Sequence, residues 1–384
     1  MNFDVIDIIS LITVFQLVIF SFFLAAQYKR RLISNNILAA FLISNALYII
    51  DFFIKRHRSD FISMPYLFNI GNTFGLLFGP LLFFYTKSLI LKNFKFNKKY
   101  FLHLIPFIIF LIYYIIIYHI KPNDIKSNML LHGYLTHSER VFSSLFLNIQ
   151  TLVYMTISLL LLFRYSGEIK KYYSSIEKIN LSWLKLVLFA FIIMWFVDLL
   201  SFVLYDLLDI RNHPLLVTLV YISLTINMVF AALIIFKGLI QSNYFTGIDI
   251  TPHQEEVKVK KPDLAKTISN VDVQNLKSHM LAEKSFLNPS LTLNELATQL
   301  GWHPRYLSQL INDSLGQNFY DFVNGHRIEF AKQLLKKEKF NVLEIIYEAG
   351  FNSKSVFNTV FKKNTGLTPT QFRKQHSSLD KKFA

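Results

Sequence analysis

The sequence predicts an all-α chain: a bundle of seven apolar, membrane-spanning helices, then a soluble domain of two helix-turn-helix units joined by one long helix. Three observations carry this. Seven long apolar runs succeed one another before residue 240. Polar, amphipathic sequence with readable helix caps follows. In that second part a short-helix, glycine, short-helix pattern occurs twice, with Gly301 and Gly350 49 positions apart.

The composition narrows the class. The 384 residues are 53% hydrophobic and 17% charged, with 39 Phe, and the mean hydropathy is +0.37. This excludes a disordered chain, a collagen-like fibre and an ordinary soluble enzyme. Cysteine is absent, which excludes disulfides, Cys-ligated zinc, iron–sulfur clusters and thiol catalysis. The formal net charge of +15 points to a membrane surface, a polyanion, or both. Residues 1–239 hold 21 basic and 11 acidic side chains, a net of +10, and residues 240–384 hold 19 and 14, a net of +5.

A spanning helix needs about 20 mostly apolar residues. Seven segments qualify, at about 5–26, 36–54, 66–90, 101–120, 141–163, 183–208 and 215–236. A buried soluble core explains one or two such runs, not seven in succession. The first run opens on Asp4 and Asp7, and the cluster Lys29, Arg30, Arg31 follows it. That order is the reverse of a secretory leader and fits a retained anchor.

Loop charges set the expected orientation. Loops after spans 1, 3 and 5 carry 11 basic residues: Lys29, Arg30, Arg31, Lys92, Lys95, Lys98, Lys99, Arg164, Lys170, Lys171 and Lys178. Loops after spans 2, 4 and 6 carry 7: Lys55, Arg56, Arg58, Lys121, Lys126, Arg140 and Arg211. The positive-inside rule then puts the N-terminus outside and the C-terminal part in the cytoplasm.

Polar residues inside the spans are the candidates for a signal site, because intramembrane polar groups are costly and often functional. Asp198 and Asn227 fall about 15 and 18 Å from the outer ends of spans 6 and 7, at about 1.5 Å per residue. They could bond each other, bind a ligand or move a proton. Asp206, Asp209 and His213 cluster at the outer end of the same spans, where they could bind a cation or polar signal, or form a solvated loop. Gly71, Gly75 and Gly79 repeat at four-residue spacing, a face that admits close helix packing. Packing within the bundle is favoured over a dimer seam.

Residues 240–276 read as a polar linker, with Pro252, Pro262 and the mixed-charge run Glu255–Lys261; 277–376 form the soluble domain and 377–384 a tail. Thr292 and Glu295 have the spacing of a capping box, in which each side chain bonds the other's backbone N–H. The short helix they open ends at Gly301. Pro304 suits a first helical position, and its helix runs to Leu315, stopping at Gly316. A long amphipathic stretch, 319–337, follows. Asn341 and Glu344 form a second box, whose helix ends at Gly350. Ser353 is positioned to cap the next helix, 354–364, which stops near Gly366. Thr368 and Pro369 open a last helix, with Arg373 and Lys374 expected exposed. Two short helices joined by a tight glycine turn are the helix-turn-helix pattern.

The run from Ile346 to Arg373 resembles the DNA-binding signature of the AraC family, with Gly350, Phe351, Phe361, Lys362, Gly366, Pro369 and Arg373 at the family spacing. Leu296, Ala297, Gly301, Tyr306, Leu307, Ser308 and the run Arg327–Ala331 are similar to its first half. Leu310-Ile311 departs from it mildly, where Phe is common at the second position. The resemblance covers about 277–376. It implies that the second helix of each unit enters the major groove of double-stranded DNA. The first would present Arg305, Ser308, Gln309 and Asn312 to base edges, and the second Lys354, Ser355, Asn358 and Thr359. Their chemistry suits this: Arg bonds guanine bidentately, Gln and Asn bond adenine, and Ser or Thr reaches either. Lys362, Lys363, Arg373 and Lys374 suit phosphate contacts, which fix register. Leu307, Leu310, Ile311, Val356, Phe357, Val360 and Phe361 are expected in the core.

The whole then reads as a membrane-anchored one-component transcription regulator of a bacterial inner membrane, with cytoplasmic DNA as partner. The signal would be a small molecule or lipid bound between the spans, or a protein, and a homodimer is a candidate assembly. Two other readings are a transporter or carrier with a DNA-binding appendage, and an intramembrane enzyme using Asp198. The sequence has no HExxH, P-loop, GxSxG or kinase-like signature, so neither enzyme activity nor a cofactor is expected.

Overall fold

The computed structural model describes residues 3–26, 33–91, 94–132, 135–177, 179–210, 213–241, 269–337 and 340–380. Lys29, Arg30, Arg31, Lys92, Lys178 and Arg211 of the orientation argument lie outside the described residues. So do most of the linker, including Pro252 and Pro262, and the end of the tail. Among the described residues the fold is all-helical, with one isolated antiparallel bridge between Tyr173 and Thr292. The chain forms two compact units: Met1–Phe163 with Leu181–Asp249, and Arg164–Asn180 with Ile250–Ala384. Residues 164–180, which hydropathy groups with the apolar part, thus pack with the C-terminal unit.

The first unit contains α1 (Val5–Ala26), α2 (Ile33–Arg56), the single turn α3 (Arg58–Phe61), α4 (Phe78–Ile90), α5 (Ile105–Tyr114) and α6 (Asn123–His132). It continues with most of α7 (His137–Tyr172), then α8 (Ser182–Phe202) and α9 (Pro214–Gln241). Among the described residues, seven segments are long and apolar enough to cross a membrane. α1 packs against α2 and α9, α2 against α4, and α8 against α9.

The third apolar run is not the single helix that hydropathy suggests. It is a 3-10 turn at Pro65–Leu67, an extended Phe68, Asn69 in the left-handed region (φ 63°), a second 3-10 stretch at Asn72–Leu77, and only then α4. The reason is steric. A Cβ on Gly71 would stand 1.9 Å from the Leu47 carbonyl oxygen, so this backbone lies directly against α2. A Cβ on Gly79 would meet the Tyr154 ring at 2.9 Å, and one on Gly75 would find Leu147 and Tyr48 at an ordinary 3.5 Å. The glycine face therefore serves packing inside the bundle. The fourth and sixth runs end in π-helical turns, Ile115–His119 and Val203–Leu207, and α7 extends past both ends of its apolar run. Hydropathy could not report these changes of helical pitch, since it measures composition alone.

The unit exposes a largely apolar surface, and its interior is apolar (Phe41, Phe68, Phe191, Phe230) with polar groups set into it. Asp7, Ser10, Thr13, Asn45, Asp51 and Asn227 are buried, whereas Phe15, Phe22, Phe142 and Leu160 are more than 60% exposed. Within it, the Asn45 amide donates to Asn227 Oδ1 at 3.2 Å.

The second unit contains the end of α7 and α10 (Asn270–Glu283), α11 (Leu293–Gln299), α12 (Pro304–Leu315), α13 (Phe319–Lys336), α14 (Val342–Glu348), α15 (Lys354–Thr365) and α16 (Pro369–Asp380). α10 starts inside the stretch read as linker. Ser269 caps it by accepting from the Asp272 N–H at 3.2 Å, and Leu276 and Met280 bury in the core.

Gly71→Ala is expected to destabilise the first unit by about 1–3 kcal/mol, the usual cost of overpacking. Gly75→Ala is expected to change stability by less than about 0.5 kcal/mol, as a substitution that meets no clash. Thermal unfolding of the two full-length variants in detergent checks the contrast.

Candidate nucleic-acid interface

Each helix-turn-helix unit is built by its caps and its apolar face. In the first, Thr292 Oγ1 accepts from the Glu295 N–H (3.2 Å) and Glu295 Oε2 accepts from the Thr292 N–H (2.8 Å), closing the box that opens α11. Gly301 takes φ 67°, a conformation costly for residues with a Cβ, and makes the turn to α12. His303 caps α12, its Nδ1 accepting from the Arg305 N–H at 3.2 Å, and Gly316 ends the helix at φ 63°. Leu293, Leu296, Ala297, Leu307, Leu310 and Ile311 bury in one cluster with Phe319, Phe322 and Val323 of α13. That burial turns Arg305 and Gln309 outward and exposed, with Ser308 and Asn312 half-buried beside them. The spacing of three, four and seven puts all four on one face. Asn312 Nδ2 donates to Ser308 Oγ at 3.4 Å, which holds the pair together.

The second unit repeats the plan. Asn341 and Glu344 close their box with two bonds of 2.9 Å. Gly350 turns at φ 81° and Gly366 ends α15 at φ 75°. Ile345, Ile346, Phe351, Phe357, Val360 and Phe361 bury against Ile328, Ala331 and Leu335 of α13, with Val356 packed at the edge. The two halves of α13 thus serve the two cores. Lys354, Ser355 and Thr359 are exposed along α15, with Asn358 half-buried. Thr359 Oγ1 donates to the Ser355 carbonyl (2.9 Å).

Three expectations change here. Ser353 stands before α15, but its hydroxyl makes no cap. Arg373 is not free on the surface: it is half-buried and donates to the Phe340 carbonyl at 2.8 Å, tying α16 to the approach of α14. Lys363 is exposed but pairs with Asp321 at the start of α13 (2.8 Å). Such a surface pair contributes at most about 1 kcal/mol and can exchange for another anion. Lys362 and Lys374 are exposed.

Sequence reasoning missed the residue that ties the units together. Arg327, on α13, is 1% exposed. Its Nε donates to the Phe286 carbonyl (2.7 Å) and its two terminal nitrogens reach the Asn288 carbonyl (2.8 Å), Asn324 Oδ1 (3.0 Å), the Ser174 carbonyl (3.2 Å) and Ser174 Oγ (3.1 Å). Burial pulls its proton affinity down to about 10, while Glu177 and Tyr320 act in the opposite direction. It remains a cation at neutral pH. Its guanidinium also lies 5.6 Å from the centre of the Phe351 ring. One signal was present: Arg327 falls between Val323 and Ala331 at four-residue spacing, a charge inside an apolar stripe.

The proposed signal residues of the first unit separate. Asp198 does not bond Asn227. Its Oδ1 accepts from Ser223 Oγ (2.7 Å), and Asp198 is exposed on α8 while Asn227 is buried against Asn45. Asp206 pairs instead with α7, accepting from Ser144 Oγ (3.2 Å) near Arg140 (3.8 Å). Asp209 and His213 are exposed, and His213 Nδ1 accepts from the Leu215 N–H. No group among the described residues has the make-up of a metal site.

Two helix-turn-helix units on a shared helix define a DNA-binding protein of the transcription-regulator class. A family described as a helix-turn-helix domain matches residues 296–375. An uncharacterized HTH-type transcriptional regulator from Pseudoalteromonas carrageenovora is 34% identical over 123 residues, covering 32% of this chain and 70% of that protein. The uncharacterized HTH-type regulator YijO of Escherichia coli (strain K12) is 35% identical over 94 residues, covering 24% of this chain and 33% of its own length. The C-terminal domain of AraT, a response regulator from Geobacillus stearothermophilus, is 31% identical over 28% of this chain and 87% of that domain, with a TM-score of 0.25. The chain belongs to the AraC-type helix-turn-helix transcriptional regulators. It spans less than two thirds of several curated relatives, 33% of YijO and 11% of an uncharacterized regulator from Staphylococcus aureus among them.

Thr292→Ala and Asn341→Ala are each expected to cost about 1 kcal/mol by removing a cap, and Ser353→Ala about none. Amide exchange of the full-length protein reads this as faster exchange confined to 293–299 and 342–348 in the first two variants, and unchanged exchange of α15 in the third.

Proposed function

We propose that the protein is a membrane-anchored one-component transcription regulator, its first unit seated in a bilayer and its second reading DNA in the cytoplasm. One observation supports the bilayer most directly: the apolar outer surface of the first unit, where Phe15, Phe22, Ile109, Phe142, Leu160 and Phe196 are exposed while Asp7, Asn45 and Asp51 are buried. Water would penalise such a surface, and lipid would not. The bilayer, double-stranded DNA and a signal of unidentified chemistry are its partners in this reading. A homodimer is compatible with it. The chain divides as 1–239 for the membrane part, 240–276 for the linker and 277–376 for the DNA-binding part, with the N-terminus outside an inner membrane.

For DNA, the supporting feature is the pair of outward polar faces on α12 and α15. We infer that Arg305, Ser308, Gln309 and Asn312 read one major-groove segment, and Lys354, Ser355, Asn358 and Thr359 a second. α13, with 18 residues, is about 27 Å long at about 1.5 Å per residue. That length suits two boxes about one turn of B-DNA apart, about 34 Å. Lys362, Lys363 and Lys374 contact phosphate in this reading. Arg373 joins them only if it leaves the Phe340 carbonyl.

The test is genome-wide capture of DNA bound by the full-length protein in its own cells, beside an Arg305→Ala, Gln309→Ala, Lys354→Ala variant. A discrete two-box motif lost in the variant is expected. Equal enrichment of the same motif by the variant would sink the assignment of these faces. On that motif, Arg305→Ala should cost about 1–3 kcal/mol and relax one base position, whereas Lys362→Ala should weaken all sequences alike and lower the salt slope by about 1.

A further inference from the structure

The turn that joins α7 to α8 is seated in the DNA-binding unit. Tyr172 packs against the first core, and Tyr173 forms its bridge with Thr292, the cap of α11. Ser174 is 1% exposed, and every polar group it owns is used. Its N–H and its hydroxyl both donate to the Leu291 carbonyl, at 3.2 and 2.7 Å. Its carbonyl accepts from Asn324 Nδ2 (3.1 Å) and Arg327 (3.2 Å), and its hydroxyl oxygen accepts from Arg327 (3.1 Å). Beside it, the Lys170 ammonium lies 5.9 Å from the centre of the Tyr320 ring.

Counting donors shows what the seat does. A guanidinium has five N–H donors. Arg327 makes five hydrogen bonds, and Ser174 supplies two of the acceptors. The others come from α13 itself and from the segment between α10 and α11. That same segment touches the second unit, since a Cβ on Gly350 would stand 2.8 Å from the Phe286 carbonyl oxygen and 2.9 Å from that of Leu287. Arg327 therefore joins the first helix-turn-helix, the shared helix and the turn of the second. Ser174 completes its coordination. Both ends of the nine-residue connection, 173–181, continue into long apolar helices, α7 and α8.

We propose that residues 172–177 are a docking strap through which α7 and α8 set the mutual geometry of the two DNA-reading units: with Ser174 seated on Arg327 the two-box arrangement is fixed, and with it withdrawn the arrangement loosens. This rests on the regulator reading given above. A withdrawn strap leaves two donors of a buried cation without acceptors, which the domain relieves only by opening. The partner of this surface is a segment of the same chain, so the link acts without a second protein. A ligand that shifts α7 against α8 would change the occupancy of the seat, and couplings of this kind span about 5–150-fold in affinity.

The native chain has no cysteine, so Tyr173→Cys with Thr292→Cys can form only one disulfide within a chain. Bridge partners have Cα atoms about 4.5–5.5 Å apart, inside the range a disulfide spans. The full-length double variant is oxidised in native membranes, with each single variant as control for the lost cap. DNA binding is measured on the two-box fragment recovered by capture and on a fragment with one box. Ser174→Pro, which removes both the N–H and the hydroxyl, is measured alone and combined with the cysteine pair. The crosslink is expected to form in most molecules. Ser174→Pro is expected to weaken two-box binding at least fivefold while changing one-box binding less than twofold, and oxidation of the combined variant is expected to restore it. A crosslink that does not form would overturn the proposal. So would one that forms while Ser174→Pro binds two-box DNA within twofold of the parent. If the parent binds no discrete DNA at all, the regulator reading itself falls, and this proposal with it.

Discussion

A buried guanidinium is the constraint on which the DNA-binding unit depends. A cation taken from water is tolerated only where each donor finds an acceptor with good geometry. Arg327 meets that condition through one side chain on its own helix, two backbone carbonyls upstream of α11 and both oxygens of Ser174. A lysine could not replace it, because its three donors on a flexible stem do not form the rigid fork that reaches four residues at once. The carbonyls it holds belong to the segment that presses on the Gly350 turn. The shared helix α13 carries a core at each end, and Arg327 adds hydrogen bonds that tie the segment touching the second turn to it.

The first unit obeys the opposite solvent logic. Several of its buried polar groups bond one another or the backbone, as in the Asn45–Asn227 pair and the Gln150 amide on the Leu76 carbonyl (3.1 Å). That second bond falls on the 3-10 stretch of the broken third segment, where the regular helical ladder is interrupted. Irregular backbone at membrane depth is tolerated only where neighbouring protein re-satisfies it. Gly71 contributes the other half of the arrangement, since only a residue without a Cβ lets this backbone lie against Leu47 of α2.

What the sequence made legible was local. Capping boxes at Thr292 and Asn341 and glycines at 301, 316, 350 and 366 are patterns within a few residues, and the helices they bound fall within a residue or two of expectation. What it hid was non-local. Ser174 and Arg327 stand 153 positions apart, and no window of hydropathy or periodicity joins them. The break in the third run was masked because a 3-10 turn and an α-helix of the same composition have the same hydropathy. The outward faces of α12 and α15 were readable because burial of alternate turns fixes them. The inward turn of Arg373 was not, since its acceptor, the Phe340 carbonyl, carries no side-chain signature.

A signal moves an equilibrium only by interacting differently with two states. In the proposed reading such a difference resides at the seat of Ser174, since withdrawing it would remove two acceptors from a buried cation and free the carbonyl at Leu291. A contact of about 3.6 Å or a bent angle is no longer a hydrogen bond, so a displacement of the strap by about an ångström is enough to lose them. No large outer sensor is required for that. Under the proposal, a ligand, lipid or protein that favours one packing of two apolar helices would act on a nine-residue connection, and the connection on Arg327 between the two helix-turn-helix units. In the proposed reading, sensitivity at the membrane and selectivity for a two-box site derive from the same hydrogen bonds.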